Sequence, residues 1–140
     1  MKNIKTTYIL IGLAVLILGG FGWGKYLRSN DPNVASTGAF HSHPELTIYV
    51  KGEKQEIPQG IGLAGGRKPI HTHDDVPVIH MEFSGAAKTD EVTLGQFFKN
   101  WGKDFNSFGS NVTMTVNGKE NTELENYQMK DKDKIELRYE

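Results

Sequence analysis

The hydropathy pattern divides the chain into one long apolar run and a series of short alternating ones. From Thr6 to Gly24 no charged residue occurs, and Tyr8-Ile9-Leu10-Ile11 and Leu16-Ile17-Leu18 are strongly apolar. As a helix rising about 1.5 Å per residue, this run is long enough to cross a bilayer core. Beyond it the periods shorten. Leu46, Ile48 and Val50 alternate with Thr47 and Tyr49, and Lys51-Gly52 followed by 54–58 predicts a hairpin turning at Gly52. Ile79, Met81 and Phe83 share one face of a predicted strand over 78–83. Leu94, Phe97, Phe98, Trp101 and Phe105 then recur at helical spacing. Thr93 is the expected N-cap of that helix, with Gln96 as its capping-box partner and Gly102 as its end, so that Phe105 falls in the following turn. Val112, Met114 and Val116 lead into Asn117-Gly118, a hairpin signal, and 135–139 forms a last alternating strand. The order predicts an α+β fold: a small mixed sheet with one covering helix, preceded by one N-terminal transmembrane helix.

Charge refines the first element. The whole chain carries 16 basic and 17 acidic residues. Lys2, Lys5, Lys25 and Arg28 flank the apolar run, and the remainder is left net acidic. Lys2 and Lys5 favour a cytoplasmic N-terminus, which sends the rest of the chain across the membrane. A cleaved signal peptide is the alternative, but Gly20-Phe21-Gly22-Trp23-Gly24 sets bulky aromatics between its small residues. Trp23 and Tyr26 suit a membrane interface. The reading is a single-pass plasma-membrane anchor over 1–28, a small polar linker over 29–39 and an extracytoplasmic domain over 40–140. A net acidic domain is a poor partner for nucleic acid, whose binding rests on cationic contacts to phosphate. The expected partners on this reading are the membrane and an envelope protein.

Two resemblances extend this. Residues 116–129 with Ile135-Glu136-Leu137 resemble the closing half of ubiquitin-like β-grasp domains, which implies a β-grasp-like sheet. The strings His-Ser-His-Pro-Glu-Leu-Thr-Ile-Tyr-Val, His-Thr-His-Asp, Ile-His-Met-Glu and Leu-Gly-Gln-Phe-Phe-Lys-Asn-Trp-Gly resemble a group of membrane-anchored, histidine-rich bacterial and archaeal domains. That likeness spans most of the domain and implies an anchored envelope protein, with no activity to carry over.

The candidate chemistry is concentrated in 41–82, which holds all 5 histidines. His41 and His43, His71 and His73, and His80 and Glu82 each follow the pattern ligand, one residue, ligand. On an extended strand, side chains two apart point to one face. His80 and Glu82 therefore point away from Ile79, Met81 and Phe83, and His41 and His43 join them if the register survives Pro44. His71 and His73 arrive on a loop. Imidazoles with a carboxylate suit zinc or copper, and Asp74, Asp75 and Glu45 are acceptors that would orient the rings. The chain has no cysteine, which excludes disulfides, thiolate ligands and thiol catalysis. No nucleophile–base motif stands out, so the leaning is away from an enzyme, although a three-histidine site that activates water stays open. A metal-free interaction or pH-sensing module is the other alternative.

Overall fold

The inward positions of the first alternating run, Leu46 and Ile48, are fully buried in the computed structural model, which describes residues 4–29 and 31–140. Lys2 lies outside the described residues, as do the side chains of Lys5 and Arg28. In chain order the elements are α1 (Ile4–Ser29), β1 (Val34–Ser36), β2 (Phe40–Ser42), β3 (Glu45–Val50), β4 (Glu53–Gln55), β5 (Ile70–His71), β6 (His80–Phe83), β7 (Ala87–Lys88), α2 (Leu94–Trp101), β8 (Val112–Val116), β9 (Lys119–Glu120) and β10 (Lys134–Tyr139). Short 3-10 turns occur at Thr89–Val92, Phe105–Phe108 and Leu124–Asn126. The fold is α+β, with mixed pairing in its largest sheet.

That sheet runs β4-β3-β10-β8-β9. β3 and β10 are parallel, with Leu46 beside Ile135 and Ile48 beside Leu137, while β8 pairs antiparallel with β10 and sets Met114 beside Leu137. These five side chains are almost wholly buried. Each such burial stabilises the fold by about 1.5–3 kcal/mol before entropy is counted. Both predicted hairpin turns form where the backbone must take positive φ: Lys51 and Gly52 at 50° and 83°, Asn117 and Gly118 at 53° and 77°.

Helix α2 forms where its caps require. The Thr93 hydroxyl accepts from the Gln96 backbone N–H at 3.2 Å, and Gly102 ends the helix at φ 76°. The Gln96 side chain does not complete the capping box; it donates to Asn100 Oδ1. Leu94, Phe97 and Phe98 face inward. The ring of Phe105 lies 5.1 Å from Phe98 and 6.1 Å from Tyr139, linking the helix to the last strand.

A separate three-stranded sheet, β2-β6-β5, carries the histidine-rich stretch. It departs from the single sheet that the alternation predicts because Pro44 interrupts β2 from β3. The chain crosses there: the Pro44 carbonyl accepts from Ile79 N–H and Leu46 N–H donates to the Pro77 carbonyl. β1, inside the stretch expected to be a linker, pairs with β7. Three residues are too few to show a period in sequence. α1 contains a 21-residue segment, Thr7–Leu27, long and apolar enough to cross a membrane.

Candidate metal centre

The three-stranded sheet sorts its side chains by parity. Ile70, Met81 and Phe83 are buried on the core side. His41 is paired with Glu82 across β2 and β6, and His71 with His80 across β5 and β6. Directly opposed residues share a face, so these four lie together on the side away from Met81. The alternation continues past β2: Ser42 and Pro44 are buried and His43 is exposed.

The 59–69 loop packs against the His71 end of that face, and His71 is wholly enclosed there. Thr72 rivets the loop down between the two histidines of its motif. Its hydroxyl donates to the Pro58 carbonyl at 2.9 Å and accepts from Ile61 N–H at 3.1 Å, while its backbone N–H and carbonyl bond Ile61 O and Gly60 N–H. Gly62 passes so close behind His71 that a Cβ there would lie 2.5 Å from the Ile70 carbonyl oxygen and 3.3 Å from the His71 Cβ. Asn100 of α2 donates to that same carbonyl at 2.8 Å, which fixes β5 from the helix side.

Four imidazoles gather on this support. Ring centroids are 4.8 Å apart for His71 and His73, 4.8 Å for His73 and His80, 5.7 Å for His71 and His80, and 5.0 Å for His43 and His80. His41 is on the same sheet face but makes no ring contact or hydrogen bond with the cluster among the described residues. His43 leans outward, with Nδ1 3.7 Å from Asp131 Oδ1 and its backbone N–H on the same carboxylate.

The hydrogen bonds assign the nitrogens. His71 Nδ1 lies 2.9 Å from the Lys68 carbonyl, which can only accept, so the proton is on Nδ1 and the lone pair on Nε2. Burial holds the His71 pKa below 6.5; the Arg67 charge acts in the same direction and the Lys68 bond against it. The ring is neutral at pH 7. His80 Nε2 lies 3.0 Å from both oxygens of Asp75, which leaves the lone pair of the neutral ring on Nδ1. The same bond holds the Asp75 carboxyl below its ordinary range.

Both lone-pair nitrogens lie near one oxygen. His71 Nε2 and His80 Nδ1 each lie 4.0 Å from Glu82 Oε1. The other Glu82 oxygen is ion-paired with Arg67, whose guanidinium also donates to His71 Nε2 at 3.2 Å. Neighbouring donors around a tetrahedral zinc are about 3.4 Å apart, given bonds of about 2.1 Å. The two distances to Glu82 Oε1 are longer than such a set has, and among the described residues no three His, Asp or Glu side chains form a finished metal set.

Arg67, Thr72, Gly62 and Asn100 are contributors that residue pattern does not reveal. Of the acceptors suggested by sequence, Asp75 bonds a histidine, whereas Asp74 and Glu45 bond none with their side chains among the described residues. No protein-family model, curated protein or solved structure matches this chain.

Proposed function

We propose that this protein is a membrane-anchored, extracytoplasmic binding domain for a transition metal, copper or zinc. His71 Nε2, His80 Nδ1 and Glu82 are its inner ligands, His73 is the fourth, and His43 and His41 lie at the approach. The observation that carries this reading is that the two nitrogens left with lone pairs, His71 Nε2 and His80 Nδ1, each lie 4.0 Å from one Glu82 oxygen, each with its opposite nitrogen already tied to an acceptor. Ligating histidines are characteristically oriented in that way, by a carbonyl or carboxylate on the far nitrogen. The apolar Thr7–Leu27 helix supports the anchor, and the flanking basic residues support an outward domain. A signal sequence has the same length and composition, so N-terminal sequencing of the membrane fraction checks that part. The order β4-β3-β10-β8-β9, with parallel central strands and α2 between the hairpins, supports a β-grasp-like reading of the larger sheet.

The test is chelator-competition titration of the full chain in detergent micelles. One zinc or copper ion should bind more tightly than about 1 μM, and the combined His71→Ala, His73→Ala and His80→Ala variant should bind none. Absence of binding at that level in the native chain refutes the proposal. A second reading, a metal-free interaction or pH-sensing module that engages an envelope protein, is favoured by one observation: Arg67 and Asp75 already satisfy His71 and His80. It requires a conformational transition near pH 6 with chelator present.

A further inference from the structure

We propose that Arg67 is the resident cation of this site, and that a metal ion binds by exchanging with its guanidinium. The inference rests on the metal-binding reading and adds to it a residue that sets the affinity. Arg67 holds two of the three inner donors. Its Nη2 donates to His71 Nε2 at 3.2 Å and the same group is ion-paired with Glu82 Oε2. An ion bound to His71 Nε2 takes the lone pair that Arg67 now uses, and an ion bound to Glu82 takes the charge that now balances Arg67. Both cannot be occupied by metal while the guanidinium stays.

Arginine is suited to this role because it stays protonated at every pH at which the protein is folded, so it cannot leave by losing a proton. It leaves by moving. The side chain is half exposed, and outward movement places it in solvent. Gly65 and Gly66, at φ 75° and 121°, precede it in a conformation that side-chain-bearing residues rarely adopt. Lys68 and Pro69 are meanwhile held in place, Lys68 N–H on the Gly62 carbonyl and the Pro69 carbonyl on Glu82 N–H. The exchange therefore needs the Arg67 side chain to swing while the carbonyl that orients His71 stays.

The contacts surrendered are the same whichever ion arrives. Removing Arg67 must then raise the affinity for different metals by a common factor.

The experiment compares the native full chain in micelles with Arg67→Ala and Arg67→Lys, titrating Zn²⁺ and Cu²⁺ separately against a competing chelator. The expected result is at least a tenfold gain for Arg67→Ala, equal within error for the two ions, and a smaller gain for Arg67→Lys, which keeps the charge but not the fork. In the native chain the ¹⁵N–¹H signals of the Arg67 guanidinium, slow to exchange without metal, should become fast on addition of Zn²⁺. If the native chain binds metal and Arg67→Ala binds it no more tightly, or the guanidinium signals do not change, the exchange is wrong while the metal site stands. If neither chain binds metal, both fall.

Discussion

His71 and His80 are directly paired across the β5–β6 ladder, and their rings stack at 5.7 Å with 18° between planes. Yet one is sealed and the other partly open: the His71 side chain has no exposure, that of His80 has 15%. The same chemistry thus has two structural weights. His71→Ala removes a buried ring and leaves the Lys68 carbonyl without its donor, so it should cost about 2–4 kcal/mol of stability in the metal-free chain. His80→Ala should cost under about 1 kcal/mol. Both should abolish tight metal binding. Urea unfolding with chelator present, set beside metal titration, separates the two effects.

Thr72 offers a test of the rivet without touching any proposed ligand. Thr72→Val keeps the shape and removes the hydroxyl, stranding the Ile61 N–H and one acceptor contact at Pro58. Leaving such a buried group unpaired costs about 1–3 kcal/mol. Thr72→Ser, which retains the hydroxyl, should lose less than Thr72→Val. Amide exchange at Ile61 should quicken in Thr72→Val well before global unfolding, and equal exchange in both variants would show that the hydroxyl does not hold the loop.

What could be read in the sequence was what repeats locally. His80 and Glu82 alternate with Ile79, Met81 and Phe83, so their outward face followed from strand geometry, as did both hairpin turns and both ends of α2. Pairings between distant segments left no such trace. β3 meets β10 some ninety residues later, and nothing near Leu46 announces Ile135. Pro44 signals a break, but not that the chain changes sheets there. The 59–69 loop has no period at all, and there Arg67 reads as one basic residue among glycines. Its place beside His71 and Glu82 exists only once Thr72 pins the loop. His41 shows the converse: its spacing matches that of His43, but only His43 touches the cluster.

The two aspartates after His73 should separate cleanly. Asp75 accepts from His80 Nε2 through both oxygens, whereas the exposed Asp74 has no hydrogen bond or ion pair among the described residues. Without Asp75 the His80 proton is no longer held on Nε2, and ring and tautomer are both released. Loss of such an orienting carboxylate typically lowers metal affinity about 10–100-fold. Asp75→Ala should show a fall of about tenfold or more, and Asp74→Ala should leave the affinity unchanged. An equal loss in both would point to general charge around the site instead of orientation.

The buried phenols should weaken the fold at alkaline pH. Tyr127 donates to Asp133 Oδ2 at 2.7 Å and Tyr139 donates to the Phe105 carbonyl at 2.7 Å. Burial raises both pKa values well above 10.0, with the Asp133 carboxylate adding to the effect at Tyr127. In the unfolded chain these phenols ionise near 10; in the folded chain they remain protonated. Above pH 10 the unfolded state therefore holds fewer protons than the native state, and stability falls as pH rises. Below pH 10 both states are protonated and the effect is flat. Each phenol contributes a slope of up to about 1.4 kcal/mol per pH unit. Tyr127→Phe and Tyr139→Phe should each cost about 1 kcal/mol at neutral pH, for the lost hydrogen bond, and each should remove its own share of the alkaline slope. Urea unfolding between pH 8 and pH 11 checks both. An unchanged slope in the two variants would show that other groups govern it.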